Sequence, residues 1–545
     1  MNYRENRNNR FSNTACLCGA LLGLFAGVLL SCSGGLPAAG GERVFRMTVT
    51  AEPPTLDWSL ATDNVSFDIL TNIMEGLTQY DADLKPVPAI ARRWEFSADG
   101  TVITYYLRDD VFWTDGQPVT AADFEYSWKR LLNPATAAEY AYFLFDIENA
   151  YEYNSGKIKD PERVGVRAVT PGILRVKLKR PIIYFPSITT FMVTFPQRQD
   201  MIARYGDHWT DPGHMVTNGP FTLAEWRHEY KIVLRANPGY YGGRPAVDRV
   251  VAYVVEEATT ALALYETGEL DRVELPPVAI PHYRNDPEYI TSPILRGYYY
   301  GFNVRKPPFD NVLVRRAFAH AIDRSRIPVI LQGGEIPTAS WIPQGMFGYN
   351  PGIGPRFDPE HARALLGRAG YPGGRGLPPV TAAYNTDQTN RLVAEFLQAQ
   401  WKKNLNVNVE LESQEWKVFL SRLKTDAPQI FRLGWGADFP DPDNFMNLFV
   451  STSGNNHLRW SNPRYDDLVA RGAAERNPKK RQALYDAAQK ILTETDAPMI
   501  SLFVSPQNLL VKSYVKGLET NAMELLYLKK VRMAPTHPKH REKTL

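Results

Sequence analysis

The sequence predicts a mixed α/β protein built from more than one lobe, on three observations. At 545 residues it is several times longer than one ordinary core needs. Stretches of strict two-residue alternation sit among stretches of helical spacing. Helix-then-strand order recurs along the chain, as it does in α/β and α+β bodies. The formal net charge of +3 is close to balance, with acids and bases interspersed, which sets nucleic-acid binding aside. Among the aromatic residues, 28 Tyr and 11 Trp, many stand in polar or loop-like contexts such as "GYYYGFN", compatible with a concave polar-aromatic ligand site.

Residues 1 to 10 carry Arg4, Arg7 and Arg10 against Glu5, and the run from Leu17 to Leu30 is apolar or small throughout. That run is short for a membrane span and has the layout of a signal peptide over residues 1–31. It ends in "VLLSCSGG", where Leu29-Leu30-Ser31-Cys32 resembles the lipobox of bacterial lipoproteins and Cys32 would carry the lipid. Leu30 departs from the small residue usual at its place, and an ordinary signal peptide cut elsewhere or a short anchor helix stays open. The other two cysteines, Cys16 and Cys18, lie inside the hydrophobic run. Cleavage before Cys32 therefore leaves no thiol in the folded part, excluding disulfides, zinc–thiolate sites and cysteine nucleophiles there. Residues 32–41 read as a flexible tether. No later segment is apolar for long enough to cross a bilayer, so the mature body is expected to be soluble and tied to a membrane at one end.

In the body, "TVITYYLRDD" alternates, with Ile103, Tyr105 and Leu107 on one face, and predicts a strand. A turn at Asp115-Gly116 leads into Thr120-Ala121-Ala122-Asp123, the start of a capped helix with Phe124, Trp128 and Leu131 on one side. Asp358-Pro359 predicts an N-cap with proline at the first helical position; Leu365 and Ala369 continue that helix and Gly370 stops it. Residues 390–403 read as a helix running into "NVNVELE", a strand by its alternation. The terminal "THPKHREKTL" reads as a flexible basic tail, counted from residue 532.

Catalytic signatures are missing: there is no Walker-type glycine loop, no H-E-x-x-H and no G-x-S-x-G. His208 and His214 lie close but have no third ligand, and His320 sits in a helical pattern as a structural histidine. The chain is read as no enzyme, with no cofactor and no metal. A hydrolase using two carboxylates would leave no motif.

Several stretches together carry a resemblance. Residues 87–134, with "TNGPFTLAEW", "RKPPFDNVLVRRAFAHAIDR", "QEWKVFL" and "GWGADFPDP", resemble the bacterial extracellular solute-binding protein family that serves peptide ABC importers. Order and spacing hold from about residue 42 to 530. The resemblance implies a bilobal periplasmic-binding-protein fold, α/β with two mixed-sheet lobes, a hinge and an extra inserted domain. Lobe I would combine 42–75, 200–297 and 504–531; the inserted domain II would be 76–199 and lobe III 298–503. Hinge closure would sequester a ligand and present a distinct surface to a partner.

By the same resemblance, Asp438 would bind a peptide's α-ammonium, Trp416 and Trp435 would wall side-chain pockets, Tyr140 would contact the peptide, and Arg432 would meet its C-terminal carboxylate or a bridging water. Pro440 and Pro442 stiffen the loop around Asp438. A calcium loop from Asp438, Asp441 and Asp443 would lack the EF-hand glycine and distal glutamate; Asp441 and Asp443 read as loop or capping residues. Some positions depart from well-known oligopeptide receptors. Thr62 and Gly301 stand in place of glutamates, Asn390 and Lys424 in place of histidines, and Leu423 in place of an arginine. These positions handle the ligand's far end or its side chains, so one bound ammonium and less favour for basic side chains are expected. The implied protein is a monomeric lipoprotein on the extracytoplasmic or periplasmic face of a membrane. It would bind short peptides and deliver them to an ABC permease. Alternatives are a receptor of the same fold for a nickel chelate, haem, an opine or an oligosaccharide, a surface adhesin, and a secreted hydrolase.

Overall fold

The computed structural model describes residues 42–535. The expected signal peptide, Cys32, the tether and residues 536–545 lie outside the described residues. Those described form one compact unit in which three sheets carry most of the architecture.

The first sheet is mixed and four-stranded, in the order Val44–Val49, Arg249–Val254, Lys231–Ala236, Phe221–Arg227. Its outer pair, Val44–Val49 with Arg249–Val254, is parallel. The second sheet, Ala91–Phe96, Val102–Leu107, Ile173–Lys177 and Val166–Thr170, is antiparallel and falls inside the segment expected to be an inserted domain. Its strand Val102–Leu107 turns Ile103, Tyr105 and Leu107 inward, as the alternation predicts. The helix Ala121–Leu132 starts at the predicted cap, where the Asp123 carboxylate accepts from the Thr120 N–H at 2.7 Å and its hydroxyl at 3.0 Å. Phe124, Trp128 and Leu131 are buried.

The inserted segment and the first sheet share one continuous core rather than two. The Trp58 indole donates to the Phe195 carbonyl at 3.2 Å, and Arg130 pairs with the buried Asp57 at 2.6 Å. In these ties each buried polar group finds a partner in the other segment, so neither segment has a satisfied surface without the other.

The third sheet has seven strands: Arg272–Glu274, Met499–Val511, Tyr289–Phe302, Ile430–Gly436, Val380–Asn385 and Val409–Gln414 in order, with Ile336–Pro337 paired to Met499–Val511. The central strand explains the "GYYYGFN" run differently from its loop-like reading. Tyr298 and Tyr300 enter the core under the helices Val312–His320, Pro359–Arg368 and Gln388–Leu405. Tyr299 enters the core on the other face, against Trp341 and Phe449. A strand covered on both faces loses its alternation in sequence.

Two further expectations are met. Asp358 caps Pro359–Arg368 by accepting from the His361 N–H at 2.9 Å, and Gly370 follows at φ +97°, a backbone only glycine adopts freely. The helix over 390–403 is present as Gln388–Leu405, closed by Asn406 in the left-handed region. That closure delays the next strand to Val409–Gln414, so "NVN" is connection rather than strand. The reading of residue 532 onward as a free tail is corrected at its start, since Arg532–Met533 pairs with Val515–Lys516.

Both expected crossings between lobes fall inside long strands. Residues 297–298 lie within Tyr289–Phe302 and residues 503–504 within Met499–Val511. These two strands pair with each other, and their register shifts between Pro293 and Gly297 and again between Tyr298 and Tyr299. Bulged positions bend and twist a strand locally.

Candidate functional site

The strand Ile430–Gly436 sets up the site. One edge pairs with Tyr289–Phe302 along its length, from Ile430 to Gly436. The other edge meets Val380–Asn385 only at Ile430 and Phe431. Beyond Phe431 that edge has no strand partner among the described residues, and an unpaired edge is a template for an added extended chain.

The strand runs out at Gly436, and the loop Ala437–Pro440 carries Asp438 before Asp441 caps the helix Pro442–Met446. Asn444, on that helix, holds the loop. Its side-chain oxygen accepts from the Asp438 N–H at 3.1 Å and the Trp435 indole at 2.9 Å, and its amide donates to the Asp438 carboxylate at 3.2 Å. Burial pushes the Asp438 carboxyl up to about 6, and only the Asn444 bond opposes that rise. A carboxylate with no cation beside it in such a place favours a ligand that supplies one. Asp441 and Asp443 are committed elsewhere. Asp441 pairs with Arg481 at 2.7 Å, and Asp443 accepts from the Tyr184 hydroxyl at 2.8 Å.

Two cavities meet at Asp438, of about 320 Å³ and about 230 Å³. Tyr140 lines the larger one together with Phe67 and Phe191, whose rings contact its own. Burial, and secondarily the Asp438 charge, push the Tyr140 phenol up to about 12, so it stays a neutral donor. Trp435 lines the smaller cavity with Tyr142, Phe439 and Tyr184, the last two stacked at 5.1 Å.

The remaining predicted residues lie apart from Asp438. Arg432 is four residues before Gly436 on the same strand, roughly 13 Å away at the rise of an extended chain. Its guanidinium sits over the Tyr298 ring at 4.3 Å and donates to the Asn385 side chain at 3.2 Å, while its buried Nε has no partner. Asn390 joins that cluster. It accepts from the Tyr298 hydroxyl at 2.8 Å and donates to Asn385. Trp416 begins the helix Trp416–Asp426, is 44% exposed and touches Phe419; it is in the wall of neither cavity at Asp438.

The departures sort by burial. Thr62 and Lys424 are exposed, and Leu423 is fully buried in the core. Gly301 is packed so closely that a Cβ would lie 2.5 Å from Leu458 and 2.6 Å from Phe431. An acid at position 301 has no room here. The larger cavity instead draws acids from positions the sequence does not mark: Asp68 on the helix Asn64–Ile73, Glu274 on an edge strand and Glu524. Arg272 and Arg296 share that wall. These residues come from four separated segments, and no local motif joins them.

This geometry agrees with what the chain resembles. Residues 85–457 match the bacterial extracellular solute-binding proteins, family 5, over their middle region. The chain belongs to that family. Its members bind solutes outside the cell and are not enzymes. The chain is 32% identical over 523 residues to the oligopeptide-binding protein OppA of Bacillus subtilis, covering 91% of this chain and 95% of that one. It is likewise 32% identical over 505 residues to the probable deoxycholate-binding periplasmic protein YgiS of Escherichia coli, covering 90% and 93%. Among solved structures, the unliganded open form of the periplasmic murein tripeptide-binding protein MppA superposes with a TM-score of 0.81 at 31% identity, covering 92% of this chain and 99% of that one. The bilobal periplasmic-binding-protein fold is thereby shown.

Proposed function

We propose that the protein is a lipid-anchored extracytoplasmic receptor that binds short peptides between two closing lobes and hands them to an ABC permease. One observation carries this reading: a buried carboxylate without a cation, Asp438, stands at the end of a strand whose outer edge is open from Arg432 to Gly436. A peptide laid antiparallel or parallel on that edge satisfies the strand's backbone groups whatever its side chains, which explains breadth of recognition. Its α-ammonium meets Asp438, in a charge-assisted bond worth roughly 1.5–3 kcal/mol. Arg432, roughly 13 Å along the strand, is within reach of the carboxylate of a peptide of three or four residues.

Closure is assigned to the paired strands Tyr289–Phe302 and Met499–Val511, whose register shifts fall close to the lobe boundaries expected from the resemblance, a placement that supports a hinge there. Cys32 carries the lipid that keeps the receptor beside its permease. The alternative of a non-peptide solute is represented by the relative named for deoxycholate. An anionic steroid is disfavoured here by the carboxylates of the larger cavity.

Native mass spectrometry of the full-length protein in detergent, beside Asp438→Asn, tests the reading. Wild type is expected to carry a ladder of masses that fragment as short peptides, and the variant to be empty. A single non-peptide mass moves the assignment to another solute.

A further inference from the structure

The wall of the larger cavity opposite Asp438 is unusually charged for a site that must accept many peptides. Asp68, Glu274, Glu524 and Asp438 face it, against Arg272 and Arg296. Only one close ion pair forms within this set, Arg296 with Glu524 at 2.8 Å. The Asp68 carboxylate makes no hydrogen bond, and burial pushes it up to about 7 despite the opposing Arg272 charge, with Glu524, Glu274 and Asp63 adding to the rise. Glu524 is raised as well, first by burial. Acids therefore outnumber bases by two, and a peptide's α-ammonium on Asp438 settles only one of the two.

Two polar side chains on the same wall await a partner. Gln507, 8% exposed, lines the cavity and has no side-chain hydrogen bond. The buried Nε of Arg272 likewise has none. The buried guanidinium nitrogen left open costs free energy in the empty protein, and the Gln507 amide at the cavity wall has its donors and acceptor free for a ligand.

We infer that this wall is a second cation subsite: Asp68 and Glu274, with Glu524 behind Arg296, bind the ammonium or guanidinium of a ligand side chain while Asp438 holds the α-ammonium. Gln507 and Arg272 take the ligand's neighbouring carbonyl groups. The receptor then prefers peptides with a lysine- or arginine-like side chain, the reverse of what the replacements at Thr62 and Gly301 imply. The reason is spatial. The charge lost at those two positions is restored from Asp68, Glu274 and Glu524, which belong to other segments. This inference rests on the peptide reading above.

The test is isothermal titration calorimetry on the full-length protein in detergent at pH 7.5 and low salt. The probes are Ala-Lys-Ala against Ala-norleucine-Ala, Ala-Ala-Lys against Ala-Ala-norleucine, and Ala-Glu-Ala against Ala-Gln-Ala. At one lysine position the charged peptide is expected to bind roughly tenfold tighter or more than its isostere, the size of a charge-assisted bond. In Asp68→Asn that ratio falls to within about threefold. Glu274→Gln, at an exposed position that tolerates the change, lowers the ratio in the same direction if Asp68→Asn fails to fold. Equal binding of lysine and norleucine at both positions overturns the subsite, as does a preference for glutamate over glutamine or a ratio unmoved in both variants. If the lysine and norleucine peptides bind equally and N-acetylation abolishes both, the peptide reading stands and only the subsite falls. If no peptide binds, both fall.

Discussion

Asp438 shows how its surroundings set the charge of a single carboxylate. Burial holds it at about 6, so it is ionised at neutral pH yet has no cation of its own. Pairing with an ammonium requires the ionised form. The affinity for a neutral-side-chain peptide is therefore expected to peak at about pH 7, falling as the pH drops below about 6 and again as the peptide's α-ammonium deprotonates at about pH 8. Asp438→Asn is expected to lower that affinity by roughly 10- to 100-fold and to flatten this dependence. Titrations from pH 5 to 8 check both, and an unchanged profile in the variant would remove Asp438 from the ammonium role. The aspartate was legible from its neighbours "GWGADFPDP"; its partner Asn444 was not. Six residues separate them, and only the turn into Pro442–Met446 brings the amide back onto the loop.

Among the elements, the stretch "TNGPFTLAEW" shows why a motif can be structural. Asn218 accepts from the Glu75 N–H at 2.8 Å, and the Gly219 N–H donates to the Ile73 carbonyl at 2.9 Å. Together they cap the end of the helix Asn64–Ile73, which places Asp68 in the cavity wall. A Cβ on Gly219 would lie 2.4 Å from the Ile73 carbonyl carbon, against backbone that has nowhere to move. Gly219→Ala is expected to destabilise the protein by about 1–3 kcal/mol, visible as a lowered Tm in calorimetry. No loss would mean that the helix end and the strand Phe221–Arg227 separate freely. The helices with caps, Ala121–Leu132 and Pro359–Arg368, were readable because capping is local. The strand Tyr289–Phe302 was harder to read, because burial on two faces erases the alternation that marks a strand.

Over the whole molecule, a buried hydrogen bond beside the site helps tie the segment 76–199 to the segment 298–503. Tyr184 donates to Asp443 across 259 positions of sequence, and Asp146, Arg180, Asp441, Arg481 and Tyr485 surround the pair. Burial, then the Asp441 charge, push the Asp443 carboxyl from 3.8 up to about 7. A carboxyl whose folded value is raised favours the folded state fully below about pH 4, and that contribution is lost as the pH rises through about 7. Asp443→Asn, which keeps an acceptor for Tyr184, is expected to gain stability relative to wild type between pH 5 and 8, by a few kcal/mol at most. Thermal unfolding across that range decides it, and parallel curves would mean that the carboxyl titrates alike in both states. At the level of the cell envelope, Cys32→Ala is expected to move the protein from the membrane fraction to the soluble one. Retention in the membrane would favour an anchor helix over a lipid.

By itself the sequence determined what is local or contiguous: the layout of the N-terminus, the capped helices, the strand Val102–Leu107, and through contiguous motifs the family and the ammonium-binding candidate Asp438. Tertiary structure alone decided which acids face the larger cavity at Asp438. Asp68, Glu274 and Glu524 are hundreds of residues apart, each unremarkable in its own stretch, and they become one electrostatic wall because the helix Asn64–Ile73, the edge strand Arg272–Glu274 and the segment 522–525 all border the same cavity. Gly301 went the opposite way, from presumed pocket position to packed core, because Leu458 and Phe431 occupy the space a side chain would need. Charge acts through space at a few ångströms, and sequence records only distance along the chain.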